Sequence, residues 1–202
     1  MATHSTTTNS SISAISGYCV STVAQVGSDG GGGTAEVIAG GSDGSSSSAR
    51  KTWDGVYTDG FDSQWVSFSM QVNSSGVSVI VTGATPLPLN YTAATYGAIQ
   101  QVRIRAAVQA PAQALWRNVS VKFFKAGVQT DSYTQRTGPQ VDTSTSSPPV
   151  AKEQILSVVP AANDNDSVTI TGDVRLINAA LALPNPQDMF CDCFVDTSTC
   201  TF

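Results

Sequence analysis

The chain has 202 residues, a formal charge of −5 and only 12% charged residues, about half the charge content of an ordinary soluble domain. The negative balance argues against direct nucleic-acid binding, which needs clustered Lys and Arg, and no apolar run reaches the length that crosses a bilayer. What remains is enough chain for one full core, with a polar, thinly charged surface of the kind that meets other protein, because interface cores are depleted in Lys, Glu and Asp.

Residues 1–11 are rich in Thr and Ser and have little to bury. They predict an extended N-terminal arm, ordered by lying across a neighbour, with residues 12–202 forming a single β domain. The arm lacks the basic and apolar stretches of a secretory signal, so the expectation is a protein made and used, or assembled, in the cytoplasm. Residues 18–26 and 34–39 read as two short strands, separated by the glycine run 27–33. That run invites a phosphate-loop reading, which fails: no Gly-Lys-Ser/Thr follows and no helix opens after it. Residues 40–50 form a second low-complexity loop.

Residues 53–62 interleave aspartates, glycines and aromatics. Asp54, Asp59 and Asp62 are weak calcium candidates, because carboxylate oxygens suit that ion. The spacing departs from the EF-hand loop, and Asp-Gly steps are also turn signals. Trp53 and Tyr57, with Trp65, form the alternative candidate, a platform for stacking on sugar rings. Residues 64–72 and 77–82 alternate and are joined by a turn at 73–76, giving a hairpin. Residues 85–91 contain two prolines and cannot sit in a central strand.

The strongest signal lies at residues 98–134. Val102, Ile104, Ala106 and Val108 fall on one face, with Arg103 and Arg105 on the other. Val119, Val121 and Phe123 alternate with Ser120 and Lys122 in the same way. Arg103, Arg105, Arg117, Lys122 and Lys125 therefore read as the solvated faces of two strands. The step Lys125-Ala126-Gly127 predicts a tight hairpin turn. Residues 138–150 read as a surface loop or linker, 153–159 and 167–171 as further strands, 173–183 as strand or helical turn, and 189–202 as strand again.

About ten short strands with long Gly-, Ser- and Pro-rich loops and no amphipathic helix predict an all-β fold, an antiparallel β-sandwich of jelly-roll type. Catalytic signals are thin. His4 is the single histidine and lies in the arm, and Glu36 and Glu153 are the only glutamates. Neither a histidine-based nucleophile pair nor a facing pair of carboxylates is selected, and no cofactor is implied. Cys191 and Cys193 share a strand face and predict free, inward-packed thiols. Cys19 and Cys200 are expected to be reduced as well, although a Cys193–Cys200 bridge, with Cys19 meeting Cys191, suits an oxidising compartment. The functional expectation is a non-enzymatic structural protein of a symmetric assembly. It is read as a virion component (capsid, decoration or fibre protein) that associates with itself and with other proteins of the particle and is assembled in the host cytoplasm. The alternative is an extracellular carbohydrate-binding or adhesive domain that takes a glycan on Trp53, Tyr57 and Trp65.

Overall fold

Alternating apolar and polar residues make strands with one face to bury, and two such sheets satisfy each other by packing face to face. The computed structural model of the chain is built this way: it is all-β, with two antiparallel sheets forming a β-sandwich. The structure describes residues 1–13, 20–26, 34–40, 49–54, 65–73, 76–81, 87–89, 97–108, 112–144, 151–178 and 189–198. In chain order the strands are β1 (Thr3–Asn9), β2 (Val20–Val26), β3 (Thr34–Gly40), β4 (Ala49–Asp54), β5 (Val66–Asn73), β6 (Gly76–Val81) and β7 (Leu87–Leu89). They continue with β8 (Ile99–Val108), β9 (Ala112–Lys125), β10 (Val128–Asp142), β11 (Lys152–Val159), β12 (Ser167–Asn178) and β13 (Met189–Thr197). One sheet runs β1-β11-β8-β13-β2-β3-β4 and the other β10-β9-β12-β5-β6-β7.

Thirteen strands are described, against about ten counted from the sequence. The additions are β1 in the arm, β4 after the serine loop and β7 in the proline-containing crossover. The three-residue β7 is an edge strand, where Pro88 removes no ladder hydrogen bond from a central position. The arm does not lie loose: Thr3 to Asn9 pair in unbroken register with Val159 to Glu153 of the same chain.

The alternation at 98–134 sorts the core. Val102, Ile104, Ala106, Val119, Val121 and Phe123 are all fully or almost fully buried between the sheets. Trp116 joins them: its ring meets Phe68 edge-on at 5.3 Å, and its Nε1 donates to the Arg105 carbonyl at 3.0 Å, tying β9 to β8 across the sandwich. The hairpin turn falls at Ala126 and Gly127, both at positive φ (49° and 79°), the combination a two-residue turn of the favoured hand requires.

The expected surface loop at 138–150 is corrected over its first part, because β10 continues to Asp142 with Gly138 and Pro139 buried. Two features permit this. The register slips between Thr137 and Gln140, a bulge that takes the proline out of regular pairing on an edge strand. A Cβ at position 138 would lie only 2.6 Å from Val119 Cγ2 and 2.7 Å from Trp116 Cβ, so glycine alone lets β10 lie this close to β9. The ambiguous stretch at 173–183 is strand as far as Asn178, and the rest lies outside the described residues.

Candidate functional site

The outward face of the seven-stranded sheet carries a buried ionic cluster that joins the arm to the body. Arg105 sits on β8 among Ile104, Ala106, Ala107 and Val108, all fully buried. On one side β13 places Asp192 opposite it, and on the other β11 places Glu153 diagonally across from it. Cross-strand neighbours point to the same face, so the three charges converge. The guanidinium makes a two-pronged contact with Asp192, Nε to Oδ1 at 3.0 Å and Nη2 to Oδ2 at 2.6 Å, while Nη1 donates to Glu153 Oε2 at 3.2 Å. The Phe194 ring lies 5.3 Å from the guanidinium carbon. Arg105 is 7% exposed, Asp192 5% and Glu153 0%. The expectation that Arg105 belongs to a solvated face is therefore wrong, whereas Lys122 and Lys125 are exposed. Alternation assigned Arg105 to the outer face, but partners from β11, β13 and the arm cover that face here.

The arm, which here runs over residues 1–13 rather than 1–11, supplies the remaining hydrogen bonds. Asn9 Nδ2 donates to Glu153 Oε1 at 2.7 Å, and the Ser13 hydroxyl donates to the same oxygen. Arg105 Nη1 donates to the Ser13 carbonyl at 2.8 Å. At its other end the arm buries Ala2, whose backbone N–H donates to the buried carboxylate of Asp131 on β10; that carboxylate also accepts from the N–H groups of Ser132 and Ala161. The strand between these two anchors is open. Thr3 to Thr8 are all exposed, and His4 rests against the Tyr133 ring at 4.6 Å.

One cation serves two carboxylates here, and the local environments divide the titration between them. Burial raises the Asp192 carboxyl to about 6, even though Arg105 bonds to it, with the Glu153 charge adding to the rise. Burial also raises Glu153, but the hydrogen bonds from Ser13 and Asn9 and the Arg105 charge outweigh it and hold that carboxyl below its ordinary value. Burial alone would lower Arg105, but the two carboxylates more than reverse this. The arm thus keeps Glu153 ionised, and Asp192 is the group that takes up a proton first.

Of the candidate residues chosen from the sequence, only the Trp65 side chain falls within what the structure describes. Tyr57, Asp59 and Asp62 lie outside the described residues, and Trp53 and Asp54 are placed only as backbone of β4. Trp65 is half-buried, and Arg117 lies over its ring at 4.2 Å, with Arg175 at 5.9 Å. Arg117 is fixed in turn by Asp173 at 2.9 Å. A sugar stacking on that ring face would have to displace a paired guanidinium. Among the described residues no group of three or more His, Cys, Asp or Glu side chains is placed to hold a metal ion. Cys191 and Cys193 are free and fully buried, and burial pushes both thiols well above their usual range. Cys19 and Cys200 lie outside the described residues.

Arg105, Asp192 and Glu153 each had a local signal. Arg105 and Asp192 interrupt apolar runs, Ile104-Arg105-Ala106 and Cys191-Asp192-Cys193, and Glu153 is one of only two glutamates in a thinly charged chain. A charge inside an apolar run is seldom buried unless paired. No family model matches this sequence, and no curated protein is significantly similar to it.

Proposed function

We propose that this chain is a non-enzymatic structural protein of a symmetric assembly, a virion component put together in the host cytoplasm, working through contacts with its own copies and with other proteins of the particle. The observation that carries the reading is the outer edge of β1, with which no strand pairs among the described residues. Edge strands are normally blunted by charge, proline, bulges or brevity, because their unpaired N–H and C=O groups recruit other strands. Thr3–Asn9 has none of these protections: it is seven residues long, without Lys, Glu, Asp or Pro, and its register is unbroken. An edge left open in this way, beside a surface of thin charge, suits a chain that is meant to meet another.

Strand order supports the finer reading of a jelly roll. Leaving out β1, β3, β4, β6 and β7, the eight remaining strands are ordered β2-β13-β8-β11 in one sheet and β5-β12-β9-β10 in the other, an order that fits the two interlocked Greek keys of capsid and lectin jelly rolls. Since that fold serves both classes, it does not choose between an assembly and a glycan-binding domain. The unguarded edge and the occupied face of Trp65 favour assembly. Light scattering after size exclusion, followed by electron microscopy of the leading fraction, tests this. Closed oligomers of uniform size are expected; a monomer at every concentration, with binding to a glycan array, would overturn it in favour of the carbohydrate reading.

A further inference from the structure

We propose that the arm is exchanged between copies: β1 of one chain pairs with β11 of a second copy, and its Asn9 and Ser13 complete the Arg105–Glu153 cluster of that copy. The inference rests on the self-assembly reading above and names the contact by which it proceeds.

The acceptor requires an arm. Glu153 is fully buried, and its Oε1 takes both of its hydrogen bonds from arm side chains; one Nη1 bond of Arg105 ends on an arm carbonyl. Without an arm, a buried carboxylate is left short of its donors, a state that costs more than the bonds themselves are worth. At the far end the buried Asp131 loses the Ala2 N–H. The cradle also reads a particular segment, because a donor side chain must stand opposite Glu153 while an unbroken ladder runs from there to Val159.

The arm does not require its own chain. Six consecutive side chains, Thr3 to Thr8, are exposed, so β1 adds almost nothing to its own core, and Ala2 is its one buried apolar residue. It does not belong to a hairpin either: β11 follows it by about 150 positions, and β2, the next strand in sequence, lies on the far side of β11, β8 and β13. An identical arm from a neighbour makes the same ladder, the same Glu153 and Asp131 bonds, and the same contact of His4 with Tyr133. Exchange of this kind conserves the contacts within each copy and adds a tie between copies, which makes it a low-cost route to association.

Paired single-cysteine variants test the proposal in the full-length protein. Ser5 and Ser157 face each other in the β1–β11 register, one exposed and the other half-buried, and both tolerate a small substitution. Ser5→Cys and Ser157→Cys chains are co-expressed in equal amounts, assembled, oxidised and run on a non-reducing denaturing gel. Exchange gives a covalent dimer containing one chain of each kind, absent when either variant is oxidised alone, and links up to about half of the Ser5→Cys arms, since arms and acceptors mix at random in a symmetric assembly. The double variant Ser5→Cys/Ser157→Cys then gives chain-to-chain ladders. Oligomers in which the mixture yields no dimer, while the double variant closes only within single chains, overturn the exchange and leave the assembly reading intact. A protein that stays monomeric throughout overturns both. A mixed covalent dimer that never grows into a larger particle supports the exchange and counts against a closed shell. The pair Thr7→Cys and Ile155→Cys repeats the measurement one pleat along the same ladder.

Discussion

Replacing Arg105 by leucine tests the buried cluster most directly. The substitution keeps most of the apolar stem and removes the only cation within reach of Asp192 and Glu153 in the described cluster. Both carboxylates are at most 5% exposed, so solvent cannot substitute for the lost partner, and breaking a buried pair from one side costs about 3–5 kcal/mol. For a chain of this size each kcal/mol moves the melting temperature by roughly 2–4 °C, so a drop on the order of 6–20 °C is expected. The pH dependence gives a second reading. Removing the cation raises Asp192 further and takes away one of the influences that hold Glu153 below its ordinary value. A carboxyl raised above its unfolded value holds a proton in the folded state that the unfolded chain releases, so stability increases as pH falls through that window. The deficit measured by thermal or urea unfolding near pH 7.5 should therefore shrink when the comparison is repeated near pH 5, as Asp192 becomes neutral. A variant within about 1 kcal/mol of the parent, or one with the same deficit at both pH values, would show that the cluster is not the paired, desolvated unit described here.

Gly138→Ala places a methyl group against Val119 and Trp116 at distances no side chain tolerates; a loss of about 1–3 kcal/mol in urea unfolding is expected, and an unchanged midpoint would mean that β10 does not lie so close to β9. Ala126→Asn converts the turn to the favoured Asn-Gly pair at a position with φ of 49° and should raise stability by about 0.5–1 kcal/mol; a loss would contradict the turn geometry. Val121→Asp buries a charge without a partner at a fully buried position and should abolish soluble expression, because the cost is several kcal/mol, of order 3 or more; normal yield would reverse the assignment of faces on β9. Alkylation of the folded protein followed by peptide mapping should leave Cys191 and Cys193 unlabelled until denaturant is added, and rapid labelling of either would place β13 away from the centre of its sheet.

Much of the fold was legible because period two is a local property. Val102, Ile104 and Ala106 on β8, and Val119, Val121 and Phe123 on β9, announce their buried face through their immediate neighbours, and Ala126-Gly127 announces its turn through backbone freedom. The ionic cluster was harder to see because it depends on register across strands. Asp192 lies 87 positions from Arg105 and Glu153 lies 48 away, and alternation states which face a side chain occupies without stating what covers that face. The same limit explains Gly138 and Pro139, whose composition signals a loop until the bulge and the nearby Trp116 are known. It also explains the arm, whose pairing with β11 leaves no trace in its own Thr- and Ser-rich sequence.

The position of β13 has a consequence for how the protein comes to be made. It is the last of the described strands in sequence, yet it sits in the interior of the seven-stranded sheet, hydrogen-bonded to β8 on one side and β2 on the other. During synthesis, at roughly 5–20 residues per second, β2 and β8 wait several seconds for the strand that joins them. Until it arrives both have open edges, and Arg105 lacks its Asp192 partner. Non-local pairing of this kind closes slowly, because the loop entropy is spent before the contacts form. A nascent chain with two unfilled strand edges, in a cell making many copies of it, is most exposed to mispairing just before β13 leaves the ribosome.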